Sequence, residues 1–439
     1  MEKLALLGGK KSVTIDYDKE VKVRKVSDEG IRKVVSMMEE DEISISPVVK
    51  EFETNFASDN GNRYAVCTTN CTSALFAAVF AIGIKEGDEV IVPSYSHWST
   101  SSCVLHFGAI PVFADIDEDS FDLSAETIQE KITSKTKAII VTHIFGNPVN
   151  FTEIQKLTRN GEIKIIEDCS HAFLAEWEGN RVGTLGDIAC FSLQGDKILT
   201  AGEGGILVTN NTEYYEKVVT LGRIERISEL SNRQYRKFVL TGLGYKFRPH
   251  PLGIAIAQDS LNRSRQLSMF RNENAKYLEK NISNLPFVKI QKVDKRAVRQ
   301  YSYNFARYDC EGLLGISIGT FMKALKAEGV LSKFYGAGWN HKQPLYTNNI
   351  TVYSYNQRGE TIGGQVYSLP NTEAVANTTF LLSPRFEQKC DDLLEQYIEA
   401  YNKIWENAEA LKECDEANKV SENSFANAMD NYRKRNRKC

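Results

Sequence analysis

The sequence predicts an α/β protein with a large domain built on a mostly parallel sheet and a smaller C-terminal α+β domain. Two observations carry this. Between Tyr64 and Thr209, short apolar runs alternate with stretches of helical periodicity, the rhythm of a doubly wound sheet. The runs are rich in Ile and Val and lack polar alternation, so both faces of the sheet are covered and its strands run mostly parallel. A chain of 439 residues also has room for more than one core.

The elements follow in order. "YAVCTT" reads as a strand, and "CTSALFAAVFAIGI" as an apolar helix closed by glycine. "DEVIVPSY" is the next strand, followed by a helical stretch and then "IPVFADID". After the helix "SAETIQEKI" come the strand "KAIIVTHIFG", the helix "FTEIQKLTRN" and the strand "IKIIEDCSHA". "GDIACFSLQGDKILTAGEGGILVT", Gly186 to Thr209, holds two buried strands around a polar stretch with one lysine, Lys197. Residues 240–258, "LTGLGYKFRPHPLGIAIAQ", break the pattern with glycines and two prolines, and a long amphipathic helix follows around 267–282. The second domain carries "RQYSYNFARY" as a strand, "GTFMKALKAEGV" as a helix and "CDDLLEQYIEAYNKIWENAEAL" as its last helix. The expected division is 1–262, 263–412, and a polar tail over 413–439 that ends basic and is solvated.

Composition excludes several classes. The chain is 42% hydrophobic and 25% charged, with a formal net charge of −3. That balance offers no electrostatic reason to expect nucleic acid or an anionic membrane as partner. No apolar run reaches the roughly 20 residues of a membrane span, and the N-terminal apolar stretch is too short for a signal peptide. The nine cysteines are irregularly spaced. Cys67, Cys103 and Cys190 sit in apolar runs, as small core residues do. There is no C-x-x-C pair and no H-E-x-x-H, so no metal site is expected. The expectation is a cytoplasmic protein.

Ligands of open α/β sheets bind at the carboxyl ends of strands. Here those ends carry His143, then Glu167, Asp168 and His171, then Ser192 and Lys197. The strand "YAVCTT" opens directly onto a helix, whose first N–H groups, at Cys71, Thr72 and Ser73, form an anion site suited to phosphate. Each element alone is weak, because Thr and Ser favour helix starts anyway and most loop lysines are solvated. Together an anion site, a carboxylate and a lysine suit pyridoxal 5'-phosphate. Its phosphate needs the helix start, its pyridine nitrogen a carboxylate, and its aldehyde a lysine. A lysine that reacts with a carbonyl must be partly desolvated, which explains its place between core strands.

The motifs "EVIVPSYSHWST", "GAIPVFADID", "THIFGNP", "IIEDCSHAF", "GTLGDIACFSLQGDKILTAGEGGILVTN" and "GYKFRPHPLGIAIA" together resemble the DegT/DnrJ/StrS-type sugar and cyclitol aminotransferases, which are fold-type-I pyridoxal phosphate enzymes. The resemblance spans roughly residues 4–400. It implies that Lys197 is the Schiff-base lysine and Asp168 the partner of the pyridine nitrogen. It places His171 near the cofactor oxygen and Ser192 on the phosphate. Cys71-Thr72 stands where the family usually has Gly-Thr. His97 holds the register of the ring-stacking aromatic, with Trp98 one residue later as a substitute. Lys246 stands where many members carry an Asn that reaches the neighbouring subunit's phosphate. The implied assembly is a homodimer whose sites each borrow Lys246 from the other chain. The implied reaction moves an amino group from glutamate or glutamine to a keto-sugar, nucleotide-linked in most members, or to a keto-cyclitol. Two relatives of other function are weighed against it. The sugar dehydratases carry a histidine in place of the lysine, and a non-catalytic relative would lose Lys197 or Asp168. Residues 331–369, with Trp339, His341, Tyr346 and Arg358, fall on the variable substrate side.

Overall fold

Seven of the apolar runs pair into one sheet in the computed structural model, which describes residues 2–335, 339–347 and 367–417. They are β1 (Tyr64–Thr68), β2 (Glu89–Pro93), β3 (Ile110–Ala114), β4 (Thr136–Thr142), β5 (Lys164–Asp168), β6 (Ile188–Ser192) and β7 (Gly205–Thr209). The spatial order is β1-β7-β6-β5-β4-β2-β3. Pairing is parallel from β6 through β5, β4 and β2 to β3. β7 runs antiparallel to both its neighbours, β1 and β6. The reason is local. A parallel return needs a crossover, usually a helix, whereas residues 193–204 between β6 and β7 form turns and bends with no helix.

Beyond its first turn the helix Cys71–Ala81 is apolar all round, with Leu75, Val79 and Ala81 among its buried residues. A helix of that kind has to be wedged inside the protein. It packs between the sheet and the helices Ser99–Leu105 and Thr212–Gly222, so its N-terminus cannot drift from the end of β1. Among the described residues, no helix is long and apolar enough to cross a membrane. Cys67, Cys71, Cys103, Cys169, Cys190, Cys310 and Cys390 are free thiols, and Cys67, Cys103 and Cys190 are fully buried, as core residues are.

A second, antiparallel sheet orders β8 (Val288–Ile290), β9 (Asn304–Tyr308) and β10 (Thr379–Ser383) consecutively. Helices Ile318–Ala327 and Asp391–Glu406 cover it. Leu4, Val13 and Val21 from the start of the chain lie in this same core, beside Phe321, Tyr397 and Tyr401. The expected boundary at residue 262 falls inside one unbroken helix, Pro251–Ile282, which opens with proline at its first turn. The expected tail begins at 413, but the helix Ala408–Ala417 runs past that point. Residues 418–439 lie outside the described residues.

A buried ion network ties the helix Val48–Asn60 to the sheet. Glu53 accepts the Cys67 N–H at 2.7 Å and Arg223 Nη1 at 2.7 Å, and also binds Arg226 Nη1. Arg223 in turn donates to the Cys67 carbonyl at 2.9 Å. Removing the carboxylate leaves the almost fully buried Arg223 with Glu225 as its remaining carboxylate and Arg226 with the Tyr215 hydroxyl, and it leaves the Cys67 N–H without its acceptor. Glu53→Ala is therefore expected to cost about 3–5 kcal/mol of unfolding free energy, read from the urea midpoint at unchanged slope.

Candidate active site

The register of β1, β7, β6 and β5 brings the chemistry to one edge. Thr68, the last residue of β1, pairs with Gly205, and Gly205 pairs with Ser192, the last residue of β6. On the other side of β6, Asp168 pairs with Cys190. The ends of β1, β6 and β5 and the start of β7 thus share one rim. Gly205 must be glycine there. A Cβ on it would lie 2.4–2.5 Å from the backbone of Asn70 and Cys71, closer than real Cβ atoms come.

That contact sets the start of the Cys71–Ala81 helix. Asn70 is its N-cap and accepts the Ser73 N–H at 2.8 Å. This corrects the expectation that Ser73 offers a free N–H, since an Asn cap takes the third N–H of the helix. The N–H groups of Cys71 and Thr72 make no hydrogen bond among the described residues. They remain for an anion, with the helix dipole behind them. The Ser73 hydroxyl lies 3.1 Å from that of Thr69. The Cys71 thiol is 3.2 Å from the Ser170 hydroxyl, and burial, with the negative charge of Asp168 behind it, raises its pKa and keeps it neutral.

Asp168 ends β5 with its carboxylate buried. Oδ2 accepts the Thr100 hydroxyl at 2.7 Å and Oδ1 the Ser170 N–H at 3.1 Å. Thr100 is itself held by Ser96, 2.9 Å away, which reaches Thr142 at 3.1 Å. His171 stacks on Phe145 at 6.0 Å and meets Tyr303 edge-on. Its Nδ1 accepts the Phe145 N–H at 3.3 Å, which leaves the proton on Nε2. Burial, helped by the charges of Lys197, His97 and Arg385, pushes its pKa well below 6.5. His171 is thus a neutral N–H donor.

Lys197 lies on the β6–β7 loop, partly buried, with Nζ 5.6 Å from the Tyr303 ring centroid. Lys197, His171 and Ser192 line one pocket of about 400 Å³. His97 stands at an exposed lip, its Nδ1 accepting from the Ser99 N–H at 3.3 Å, and the Trp98 ring lies 4.8 Å from it. Asn340 holds this loop by donating to the Ser96 carbonyl at 3.0 Å, and Tyr346 does so by donating to the Trp98 carbonyl at 3.3 Å. His341 Nδ1 sits 2.6 Å from the Ser94 hydroxyl. Trp339, His341 and Tyr346 therefore belong to the segment that props up the lip; Arg358 lies outside the described residues.

Two expected groups sit apart. His143 and Glu167 turn to each other at 3.1 Å, and Glu167 also accepts the N–H groups of Gly183, Leu185 and Gly186. Both are buried structural groups, because residues 167 and 168 project from opposite faces of the strand. Lys246 is exposed and does not line the pocket of its own chain, while its neighbour Phe247 is buried against Gly222. Sequence reasoning missed Thr100, Tyr303, Arg271 and Arg385. The hydroxyl-rich run "SHWSTSS" was a signal for the first of these, but no spacing ties it to Asp168.

The sequence profile of the DegT/DnrJ/EryC1/StrS aminotransferase family matches residues 25–380. The chain belongs to this family. As a member it is a pyridoxal phosphate-dependent aminotransferase. A Micromonospora echinospora protein, provisionally named an L-glutamine:3-amino-2,3-dideoxy-scyllo-inosose aminotransferase, is 29% identical over 94% of this chain and 99% of its own. GDP-perosamine synthase of Escherichia coli O157:H7 is 36% identical over 58% of this chain and 67% of its own. The structure of E. coli GDP-4-keto-6-deoxy-D-mannose-3-dehydratase with bound hydrated PLP superposes with a TM-score of 0.76 at 21% identity. It covers 87% of this chain and 98% of its own, a likeness of fold.

The donor set suits the family's cofactor: a primary amine, a buried carboxylate anchored by a hydroxyl and an N–H, and a helix start with free N–H groups. Gly205→Ala tests how tightly this rim is built. The added methyl must push the helix start away, at a cost of about 1–3 kcal/mol. Cofactor affinity, followed by visible absorbance during dialysis, is expected to fall further than the melting temperature suggests.

Proposed function

We propose that the protein moves an amino group from glutamate or glutamine to a keto-sugar, nucleotide-linked, or to a keto-cyclitol, as a cytoplasmic homodimer with shared sites. One observation carries this reading. Lys197, the buried Asp168 carboxylate and the free N–H groups of Cys71 and Thr72 meet on a single sheet rim. Bound there, pyridoxal phosphate supplies an electron sink for the carbon that loses or gains the amine.

The chain's own residues divide the remaining work. Lys197 Nζ would hold the cofactor between turnovers and, once released, would carry the proton from the donor's α-carbon to the cofactor's aldehyde carbon. Asp168 keeps the ring nitrogen positive. Thr100 and Ser170 hold that carboxylate in one orientation, so no reorganisation is needed as charge develops. Neutral His171 offers Nε2–H to an oxygen of the cofactor without adding charge beside Asp168. Cys71, Thr72, Ser73 and Ser192 surround the phosphate, and His97 covers the ring, with Trp98 beside it. Lys197 weighs against the dehydratase reading, in which a histidine stands at this position.

The exposed residues Phe238, Val239, Leu240 and Tyr245 support the shared dimer. Leu240 is 87% exposed in the single chain, on the segment that leads to Lys246. Apolar residues gathered in this way mark interaction surfaces. The free thiols fit a reducing compartment.

Borohydride reduction of the yellow holoenzyme is expected to fix the cofactor to one peptide, the one containing Lys197, by mass spectrometry. Label on another lysine refutes the assignment. For the assembly, inactive Lys197→Ala subunits are mixed with inactive Lys246→Ala subunits. A heterodimer would hold one site with both lysines, so activity is expected to return in part. No recovery in a mixture shown to contain heterodimers would refute the shared site.

A further inference from the structure

Asp168 is a buried carboxylate whose two oxygens take only neutral donors among the described residues. Water would ordinarily stabilise such a charge, and here it is excluded. On Oδ2 its place is taken by a file of three hydroxyls. Thr100 Oγ1 lies 2.7 Å from Asp168 Oδ2, Ser96 Oγ lies 2.9 Å from Thr100 Oγ1, and Thr142 Oγ1 lies 3.1 Å from Ser96 Oγ. The three come from different elements: Thr100 from the helix Ser99–Leu105, Ser96 from the loop after β2, and Thr142 from the last position of β4. Thr100, Ser96 and Thr142 are 0, 1 and 5% exposed, so solvent does not compete for these bonds. Asn340 pins the middle of the file by donating to the Ser96 carbonyl at 3.0 Å.

Proton counting fixes the direction of the file. A hydroxyl carries one proton, and an ionised carboxylate can only accept. The Thr100 proton is therefore on Asp168, which makes Ser96 the donor to Thr100. The Ser96 proton is then used, which makes Thr142 the donor to Ser96. All three O–H dipoles point toward one carboxylate. Hydrogen bonds aligned in this way polarise one another, by about 10–30% per bond, and in a dry setting the gain is poorly screened. Packing does not account for the file. Apolar residues at 96 and 142 would fill the same space and remove two polar groups from the core.

We propose that Ser96 and Thr142 are positioning residues that act through Thr100 to keep a proton on the cofactor's ring nitrogen rather than on Asp168. The proposal rests on the aminotransferase reading, in which Asp168 faces that nitrogen. The two groups share one proton. With the proton on nitrogen, the ring is positive and Asp168 negative; with the proton on oxygen, both are neutral. Burial favours the neutral arrangement, whereas hydrogen bonds donated to the carboxylate favour the charged one. The file adds its aligned dipoles to the charged side. The electron sink depends on that side, because a positive ring takes up electrons more readily. Ser96 and Thr142 do not line the Lys197 pocket, so they tune the sink from behind it.

The test loads each protein with pyridoxal phosphate carrying nitrogen-15 in its ring and reads the NMR shift of that nitrogen, which follows its proton. Thr100→Val sets the scale, displacing the signal toward the unprotonated value. Ser96→Ala is expected to give about 10–30% of that displacement, and Thr142→Val a smaller one in the same direction. Ser96→Thr keeps the hydroxyl and is expected to keep the wild-type shift. Ser101→Ala serves as the control. Its hydroxyl lies on the same helix as Thr100 but is turned to Tyr346, 2.6 Å away, so its loss is expected to leave the signal in place. Wild-type shifts in both Ser96→Ala and Thr142→Val overturn the proposal. So does a displacement in Ser96→Thr or Ser101→Ala equal to that in Ser96→Ala, which would reduce the effect to a disturbed core. Thr142→Val retains the shape of the side chain, so the far end of the file is tested even where Ser96→Ala does not fold. A wild-type signal at the unprotonated value overturns the proposal and leaves the aminotransferase reading standing. Failure of the wild type to take up the cofactor defeats that reading, and the proposal with it.

Discussion

The contact of Gly205 with the backbone of Asn70 and Cys71 is the constraint on which the candidate site depends. It exists because β7 runs antiparallel between β1 and β6 and so begins where both neighbours end. That topology needs a β6–β7 connection without a helix, and residues 193–204 provide it while carrying Lys197. One irregularity in an otherwise parallel sheet thus places a lysine, a helix start and the Asp168 carboxylate on the same rim. The helix Cys71–Ala81, apolar beyond its first turn and buried over Ala74–Val79, makes the placement rigid.

Electrostatics on the rim is arranged by pairing and burial. Asp168 has a hydroxyl and an N–H on its two oxygens, so a buried carboxylate is held without a cation of its own. His171, a short distance along the chain, is kept neutral by burial and by the positive charges around it. Behind Lys197 the balance reverses, with Lys25, Arg271 and Arg385 outnumbering Glu387 and Asp196. Tyr303 lies against both Lys197 and Arg385, so the two charge environments meet across one aromatic ring.

The parts of the site that were legible from sequence share one property: each is a residue at a strand end or helix start within a continuous motif. Asp168, Ser192, Lys197 and Cys71 qualify because a strand reads as a run of Ile and Val and its end is visible. Thr100, Tyr303, Arg271 and Arg385 do not. Thr100 sits within a helix and reaches Asp168 only through the packing of Ser99–Leu105 against the sheet. Tyr303 and Arg385 come from strands of the second sheet or just beyond them, far along the chain from Lys197. Glu167 and Asp168 are adjacent strand-end carboxylates, and the alternation of residues across β5, with Glu167 drawn to the Gly183–Gly186 turn, sets them on opposite sides.

By itself the sequence determined the α/β class, the order of strands and helices and the lysine-carboxylate-helix pattern, because hydrophobic periodicity and helix-start chemistry are local properties of the chain. Tertiary structure decided the antiparallel seat of β7, the need for glycine at 205 and the Asn70 cap. It also decided the single core that joins residues 4–21 to the C-terminal helices, and the convergence of Arg271, Arg385 and Lys197. These follow from contacts between residues far apart in the chain, and they exist only once packing has fixed which faces meet.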